Sequence, residues 1–186
     1  ASWLVAGLFA ATAAFVQRLP VVTKLHRERA ALGIELAFHV AAQVEIAAVG
    51  DARAMIEAAE LANTPGRFTA FIGFEWTSNT GGNNLHRNVI FRDDGDKAGK
   101  VEPYTTMKPL GSDNPVDLWQ WMDSYQQSTG GRVLAIAHNG NLSNGLMFPT
   151  VEAFGRKLDA EYATNREKWE RLYETTQTKG TGESHP

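Results

Sequence analysis

The chain has 186 residues, of which 43% are hydrophobic and 21% charged; these are ordinary globular values that argue against wholesale disorder. A formal charge of −3 leaves no electrostatic footprint for nucleic acid or an anionic membrane. The absence of cysteine excludes disulfides, thiolate zinc sites, CxxC redox chemistry and a Cys nucleophile, so any metal must be held by His, carboxylates and neutral oxygens; it leaves both a cytoplasmic and an exported location open.

Ala1 to Val16 is an uncharged, Ala-rich run. It is shorter than the roughly 20 residues of a membrane-spanning helix. With neither Met nor a basic stretch before it, it makes an unconvincing signal peptide. Arg18 to Gly50 mixes Ala, Val, Leu and Ile with charges and has no clean period, and His26 and His39 stand in no ligand-like cluster. Residues 1–50 therefore form an unassigned segment, distinct from 51–186.

From Asp51 the pattern sharpens. Asp51 to Asn63 is made of strong helix formers, with Asp51 as cap and Pro65-Gly66 as stop. Phe68 to Trp76 is nearly continuous apolar sequence and predicts a buried strand ending at Glu75-Trp76-Thr77. A Gly/Asn-rich loop, Asn79 to Asn84, leads to a second strand at Arg87 to Arg92. Asp93 to Asp113 is polar and predicts a long surface loop. Asn114, Pro115 and Asp117 form a helix start, with Asn114 as cap, and Gly130-Gly131 supplies the left-handed stop. Val116, Trp119, Met122 and Tyr125 share its apolar stripe. Arg132 to Ala137 predicts a strand that delivers His138-Asn139-Gly140-Asn141 into a loop. Leu158 to Leu172 predicts a helix, and Tyr173 to Gln177 a last strand. Strands and helices alternate, which is the α/β pattern, with chemistry expected at the C-terminal strand ends.

Three residues stand out by position. Glu75 closes an apolar strand, where a carboxylate must be hydrogen-bonded, paired or metal-bound; an ion pair with Arg87 is the structural alternative. His86 follows a loop able to fold back on Glu75, and imidazole with carboxylate suits Zn, Mn or Fe. His138 ends an apolar strand and is aimed at the mouth of the sheet. Asn139 and Asn141 offer amides to orient a substrate oxygen, or serve as turn residues. Glu183-x-His185 could place two ligands near one point, at a chain end where fraying is the default. No GxGxxG fingerprint after a strand, Walker loop, GxSxG elbow or HExxH motif occurs.

Several long motifs occur in order: Gly66 to Ser78, Gly81 to Arg92, Asn114 to Trp119, Ala135 to Gly145, and Gln177 to Pro186. Together they resemble a large, mostly bacterial family carried as a domain of unknown function, itself similar to the PHP (polymerase and histidinol phosphatase) superfamily of metal-dependent phosphoesterases. The resemblance covers about residues 51–186. It implies a distorted (β/α) barrel of which this chain is a partial, truncated middle portion. It further implies divalent Zn, Mn or Fe ions at the strand ends, with Glu75, His86 and His138 as ligands. The implied chemistry is hydrolysis of a phosphoester or related small-molecule ester. Arg87 and Asn139 are then the charge-stabilising residues, Asn84, Asn141 and Lys179 bind substrate, and Glu183 and His185 are additional ligands.

The superfamily's opening His-x-His and closing Asp-x-His have no counterpart in this chain. A second reading therefore stands beside the first: a non-catalytic globular remnant or binding module that keeps the fold motifs without a full metal centre. A third is a metal-free, glycosidase-like pair of Glu75 and Glu183.

Overall fold

The computed structural model describes residues 49–182. The expectations for 1–48, including His26 and His39, and for Glu183 and His185 lie outside the described residues.

The first helix, α1, spans Val49–Ala62. It begins two residues before Asp51, so Asp51 lies within the helix rather than at the position preceding it. The chain then turns through Gly66 at φ 79°, with Thr64 and Phe68 bridging. The first strand, β1, covers only Gly73–Trp76, so the expected strand from Phe68 loses its first half. The apolar run alone could not show this, because Phe71 is half exposed and finds no place in the core.

Strand β2 is Arg87–Phe91. The expected polar loop after it is partly structured. Helix α2, Gly95–Ala98, buries Ala98, and Val101 and Tyr104 pack against the core. Helix α3, Pro115–Thr129, follows its local signals closely. Asn114 Oδ1 accepts the Val116 amide at 3.0 Å, Pro115 occupies the first turn, and Gly130 ends the helix at φ 64°. Strand β3 is Val133–Ala137.

An unforeseen hairpin follows, β4 (Glu152–Ala153) with β5 (Arg156–Lys157). Phe154 and Gly155 at its tip both have positive φ, as a two-residue hairpin turn of the primed type requires. Helix α4 is Ala160–Trp169, shorter than expected and capped by Asp159 Oδ1 on the Tyr162 amide at 2.8 Å. The expected last strand is two pieces, β6 (Leu172–Tyr173) and β7 (Thr176–Gln177), the latter paired with β8 (Gly180–Thr181).

The architecture is mixed α/β around a four-stranded sheet of order β1-β2-β3-β6. β1 and β3 each pair antiparallel to β2, while β6 runs parallel to β3. The alternating helix–strand pattern pointed to an α/β fold, and the family resemblance to a partial (β/α) barrel. Among the described residues the sheet is open, and no closed barrel forms. The short Thr77–His86 connection, with a single 3-10 turn at Thr80–Gly82, allows an antiparallel return, since only parallel neighbours need a crossover.

The sheet's two faces divide by the strand period of two. Phe74, Trp76, Val89, Phe91, Val133 and Ala135 face Leu118, Trp119, Met122 and Tyr125 of α3 in one core cluster. Aromatic edges lock the layers: Phe74 meets Trp121 at 5.6 Å and 88°, and Phe91 meets Tyr125 at 5.0 Å and 75°. On the opposite face Leu134 is 37% exposed, so the sheet is not apolar-covered on both sides, as continuous apolar strands would suggest. Among the described residues no helix is long and apolar enough to cross a membrane.

Tyr125 donates its hydroxyl to Asp93 Oδ2 at 3.1 Å. Burial first, then that carboxylate, push its pKa from 10.0 up to about 12. A folded-state pKa above the unfolded one means that the contribution to stability is whole below pH 10 and is lost as pH rises toward 12. Burial, then Asp117, also raises Tyr104, so an alkaline absorbance titration should show late ionisation among the four tyrosines, and Tyr125→Phe should remove the step at about 12.

Candidate metal centre

The topology gathers four ionisable side chains at one end of the sheet. β1 and β3 point the same way, so Glu75 near the end of β1 and His138 just past β3 reach the same edge. β2 runs the opposite way, so His86, just before its first residue, lies there too. The ladder continues one step beyond the strands, with the His138 amide donating to the His86 carbonyl at 2.9 Å. β6, parallel to β3, adds Glu174 immediately after its last residue. The Glu174 amide donates to Ala137 O at 3.1 Å.

Parity then sets the face. Trp76 pairs with Arg87 and Glu75 with Asn88, so Glu75, Asn88 and His86 point away from the α3 core. Glu75 Oε1 lies 2.7 Å from His86 Nδ1, a diagonal contact across the pair. One ligand atom each from Glu75, His86 and His138 lie within 4.8 Å of one another. Atoms bound tetrahedrally to one ion at Zn–N or Zn–O lengths sit roughly 3.4 Å apart, so closing the group on an ion would draw the wider contacts in and open the 2.7 Å Glu75–His86 contact. Two imidazoles and one carboxylate are a donor set for a divalent transition metal, and the group could hold one.

The surrounding contacts orient the donors. His138 Nδ1 lies 2.8 Å from Glu174 Oε1, and Glu174 Oε2 accepts the Asn139 amide at 3.1 Å. When Nδ1 carries the proton toward that carboxylate, Nε2 carries the lone pair, as in carboxylate–histidine–metal arrangements. His86 Nε2 lies 3.0 Å from Asn79 Oδ1 and its Nδ1 lies 3.0 Å from Asn139 Nδ2. Asn139 is buried and left-handed, with φ 59°. It is a turn residue, the structural alternative weighed for it, and it also contacts His86. Gln177 donates to Asn139 Oδ1 and, at 3.3 Å, to Asn141 Oδ1.

Burial pushes the Glu75 carboxyl up. The hydrogen bond and charge of His86 and the charges of His138 and Lys179 outweigh that, and together hold it below its ordinary 4.5. Glu75 is therefore ionised at neutral pH.

Of the other residues singled out, Lys179 lies close enough to act on Glu75, and its carbonyl accepts Asn141 Nδ2 at 3.1 Å. Asn84 contributes its backbone amide to Leu142 O at 3.1 Å beside the Gly140–Leu142 turn. Arg87 is elsewhere. Its side chain points into the core face, where Nε meets Glu170 Oε1 at 2.9 Å, Nη1 donates to Leu85 O, and the guanidinium lies over Trp76. The alternative weighed for Glu75, an ion pair with Arg87, is thus excluded by one residue of strand parity. Glu174, Asn79 and Gln177 carry roles that the sequence reading gave to none of them. Glu174 was hidden inside an expected strand, although it is a carboxylate at a strand end, the same signal that marked Glu75.

Glu174→Gln should leave the fold intact and weaken metal binding about 10–100-fold, the cost of losing an outer-sphere carboxylate. Calorimetric titration with Zn²⁺ checks this, and unchanged affinity would remove Glu174 from the site.

A family model described as "Protein of unknown function (DUF3604)" matches residues 15–186. The match extends upstream of Asp51, where the resemblance by motifs begins. No curated protein and no solved structure matches the chain. The matched span covers most of the sequence and includes every residue of the Glu75–His86–His138 group, and the chain belongs to the DUF3604 family.

Proposed function

We propose that this chain carries the metal-binding part of a divalent-metal-dependent hydrolase of phosphoesters or related esters, built on a partial (β/α) barrel of the PHP kind. The observation that carries the reading is the convergence of Glu75, His86 and His138 on one point, with His138 backed by a carboxylate and His86 by two amides. Zn, Mn and Fe are the ions that suit these donors. A bound divalent ion supplies Lewis acidity to an ester oxygen and acidifies water at neutral pH.

The chain's own residues supply the rest. Lys179, on the β7–β8 turn, offers a positive charge to an anionic ester group. Asn141 positions that turn through the Lys179 carbonyl. Asn139 holds His86 in place. Arg87, engaged by Glu170 on the other face, serves the strand beneath the site, so charge stabilisation falls to Lys179.

One observation favours the non-catalytic alternative. Glu75 and His86 already pair directly at 2.7 Å, so the group satisfies itself without an ion. A metal-holding or purely structural module is consistent with that contact.

Metal analysis of the purified chain, combined with a panel of phosphodiester and sulfate-ester substrates, decides between them. Stoichiometric metal and chelator-sensitive hydrolysis support the hydrolase. Substoichiometric metal that Glu75→Ala and His138→Ala leave unchanged would overturn the metal site. Stoichiometric metal with no turnover on any ester would favour the binding module.

A further inference from the structure

The buried side-chain polar atoms without a hydrogen-bond partner among the described residues are Trp76 Nε1, Thr77 Oγ1 and Asn88 Oδ1. All three border Glu75. Trp76 and Thr77 follow it in the chain, and Asn88 is its cross-strand partner. An orphaned buried polar atom bears its full desolvation penalty. Native proteins retain such groups chiefly where an ion, a water or a ligand completes them.

The three orphans are not equivalent. Trp76 Nε1 is a donor on a side chain of the core face, with Arg87 packed over its ring. Thr77 lies past the end of β1. Asn88 Oδ1 is an acceptor on a side chain that shares the ligand face with Glu75 and His86. Directly opposed residues of an antiparallel pair carry their Cβ atoms about 5 Å apart, so the Asn88 amide and the Glu75 carboxylate start from adjacent points.

The strand neighbours of Asn88 cannot complete it. Glu75 on one side is itself an acceptor, and Ile136 on the other is apolar. His86, two residues back, is already engaged by Glu75, Asn79 and Asn139. Among the described residues nothing completes the amide oxygen, which leaves it open to an electropositive group such as a cation.

We infer that Asn88 is a fourth member of the metal site, its side-chain oxygen serving as a neutral ligand to the cation held by Glu75, His86 and His138. The inference rests on the metal reading above. It makes the donor set two nitrogens and two oxygens, and the added carbonyl-type oxygen suits Mn²⁺ better than a purely imidazole set would.

The test uses the full chain, stripped with a chelator and titrated with Mn²⁺ or Zn²⁺ alone by calorimetry, beside thermal melting of the metal-free protein. Asn88→Leu keeps the size and removes the acceptor. Its metal-free form should melt at or above the wild type, because a buried orphan is gone, while its metal affinity falls at least about tenfold, the least that even an outer-sphere partner contributes. A residue needed only for folding would show the reverse pattern. Asn88→Asp, which adds a charged oxygen at the same place, should bind the ion more tightly than the wild type. Wild-type affinity in Asn88→Leu, or Asn88→Asp binding no tighter than wild type, would overturn the assignment of Asn88. If Glu75→Ala abolishes binding in the same titrations, the metal site itself stands. A wild-type chain that takes up neither ion overturns both.

Discussion

Glu75→Ala is expected to abolish stoichiometric binding of Mn²⁺ or Zn²⁺, lowering affinity more than about a hundredfold, beyond the 10–100-fold that loss of an outer-sphere partner costs. Glu75 is the only carboxylate in the three-residue group and supplies its only negative charge. Without it the group keeps its two imidazoles, with ring centroids 6.2 Å apart, and Glu174, held by His138 Nδ1 and the Asn139 amide, balances a divalent ion only from behind His138. His138→Ala should have a comparable effect, because it removes the donor that Glu174 orients. Glu75→Gln keeps the shape and loses the charge, and separates coordination by carboxylate from mere packing. The Glu75 carboxyl is held below 4.5, so it stays ionised across the neutral range and does not itself limit binding there. Removing Glu75 spares the α3-facing core but loses its 2.7 Å contact with His86, so the metal-free proteins should melt modestly below the wild type. Calorimetric titration and metal analysis read the first effect, and thermal melting the second.

Glu170→Ala should destabilise the fold by about 3–5 kcal/mol, the cost of breaking a buried ion pair by removing one partner. For a chain of this size that corresponds to a fall in Tm of roughly 6–20 °C. The Arg87 and Glu170 side chains are each 1% exposed. Glu170 also accepts Trp119 Nε1 at 2.8 Å and Arg166 Nη2 at 3.0 Å. Truncating it strands the Arg87 charge and the Trp119 donor in the core. Burial pushes the Glu170 carboxyl up, but Arg87, Arg166 and the hydrogen bonds outweigh that and hold it below 4.5. A folded-state pKa below the unfolded one gives a contribution that is whole above pH 4.5 and is lost as pH falls through the lowered value. The stability gap between wild type and Glu170→Ala should therefore narrow in acid. Adding Arg87→Met should restore part of the loss, because the unpaired charge goes with it. Denaturant unfolding at neutral and acid pH measures all three, and a gap that ignores pH would mean that Glu170 acts through packing alone.

What was legible in the sequence was local. Helix α3 could be bounded because Asn114, Pro115 and Gly130 are signals read within one turn of the helix. Glu75, His86 and His138 could be singled out because each is a polar residue abutting an apolar strand. Sheet pairing depends on contacts far apart in the chain, and no local signal distinguished antiparallel β1-β2-β3 from a parallel barrel. The fate of Arg87 turned on one residue of parity: the strand was expected to start at Arg87, as it does, but the contiguous apolar Val89-Ile90-Phe91 gives no alternation to say which face is buried. Asn88 read as strand interior, and its significance appears only when its cross-strand partner proves to be Glu75. Glu174 was lost because two short strands, β6 and β7, looked like one.

Strand β2 also bears on how this protein can change. Its odd-numbered residues, Arg87, Val89 and Phe91, are buried with the core, and its even-numbered neighbours, His86 and Asn88, belong to the face of the metal group. Substitutions at even positions can therefore alter ligand chemistry while leaving the helix-facing layer untouched, so selection can retune the site without first compensating for lost stability. The same geometry forbids a different class of change. Adding or deleting a single residue between Trp76 and His86 in a way that shifts the pairing by one would swing the arginine outward and the histidine inward, removing the Arg87–Glu170 ion pair and the Glu75–His86 contact in one event. Variation in this family should thus be rigid in the length of that connection.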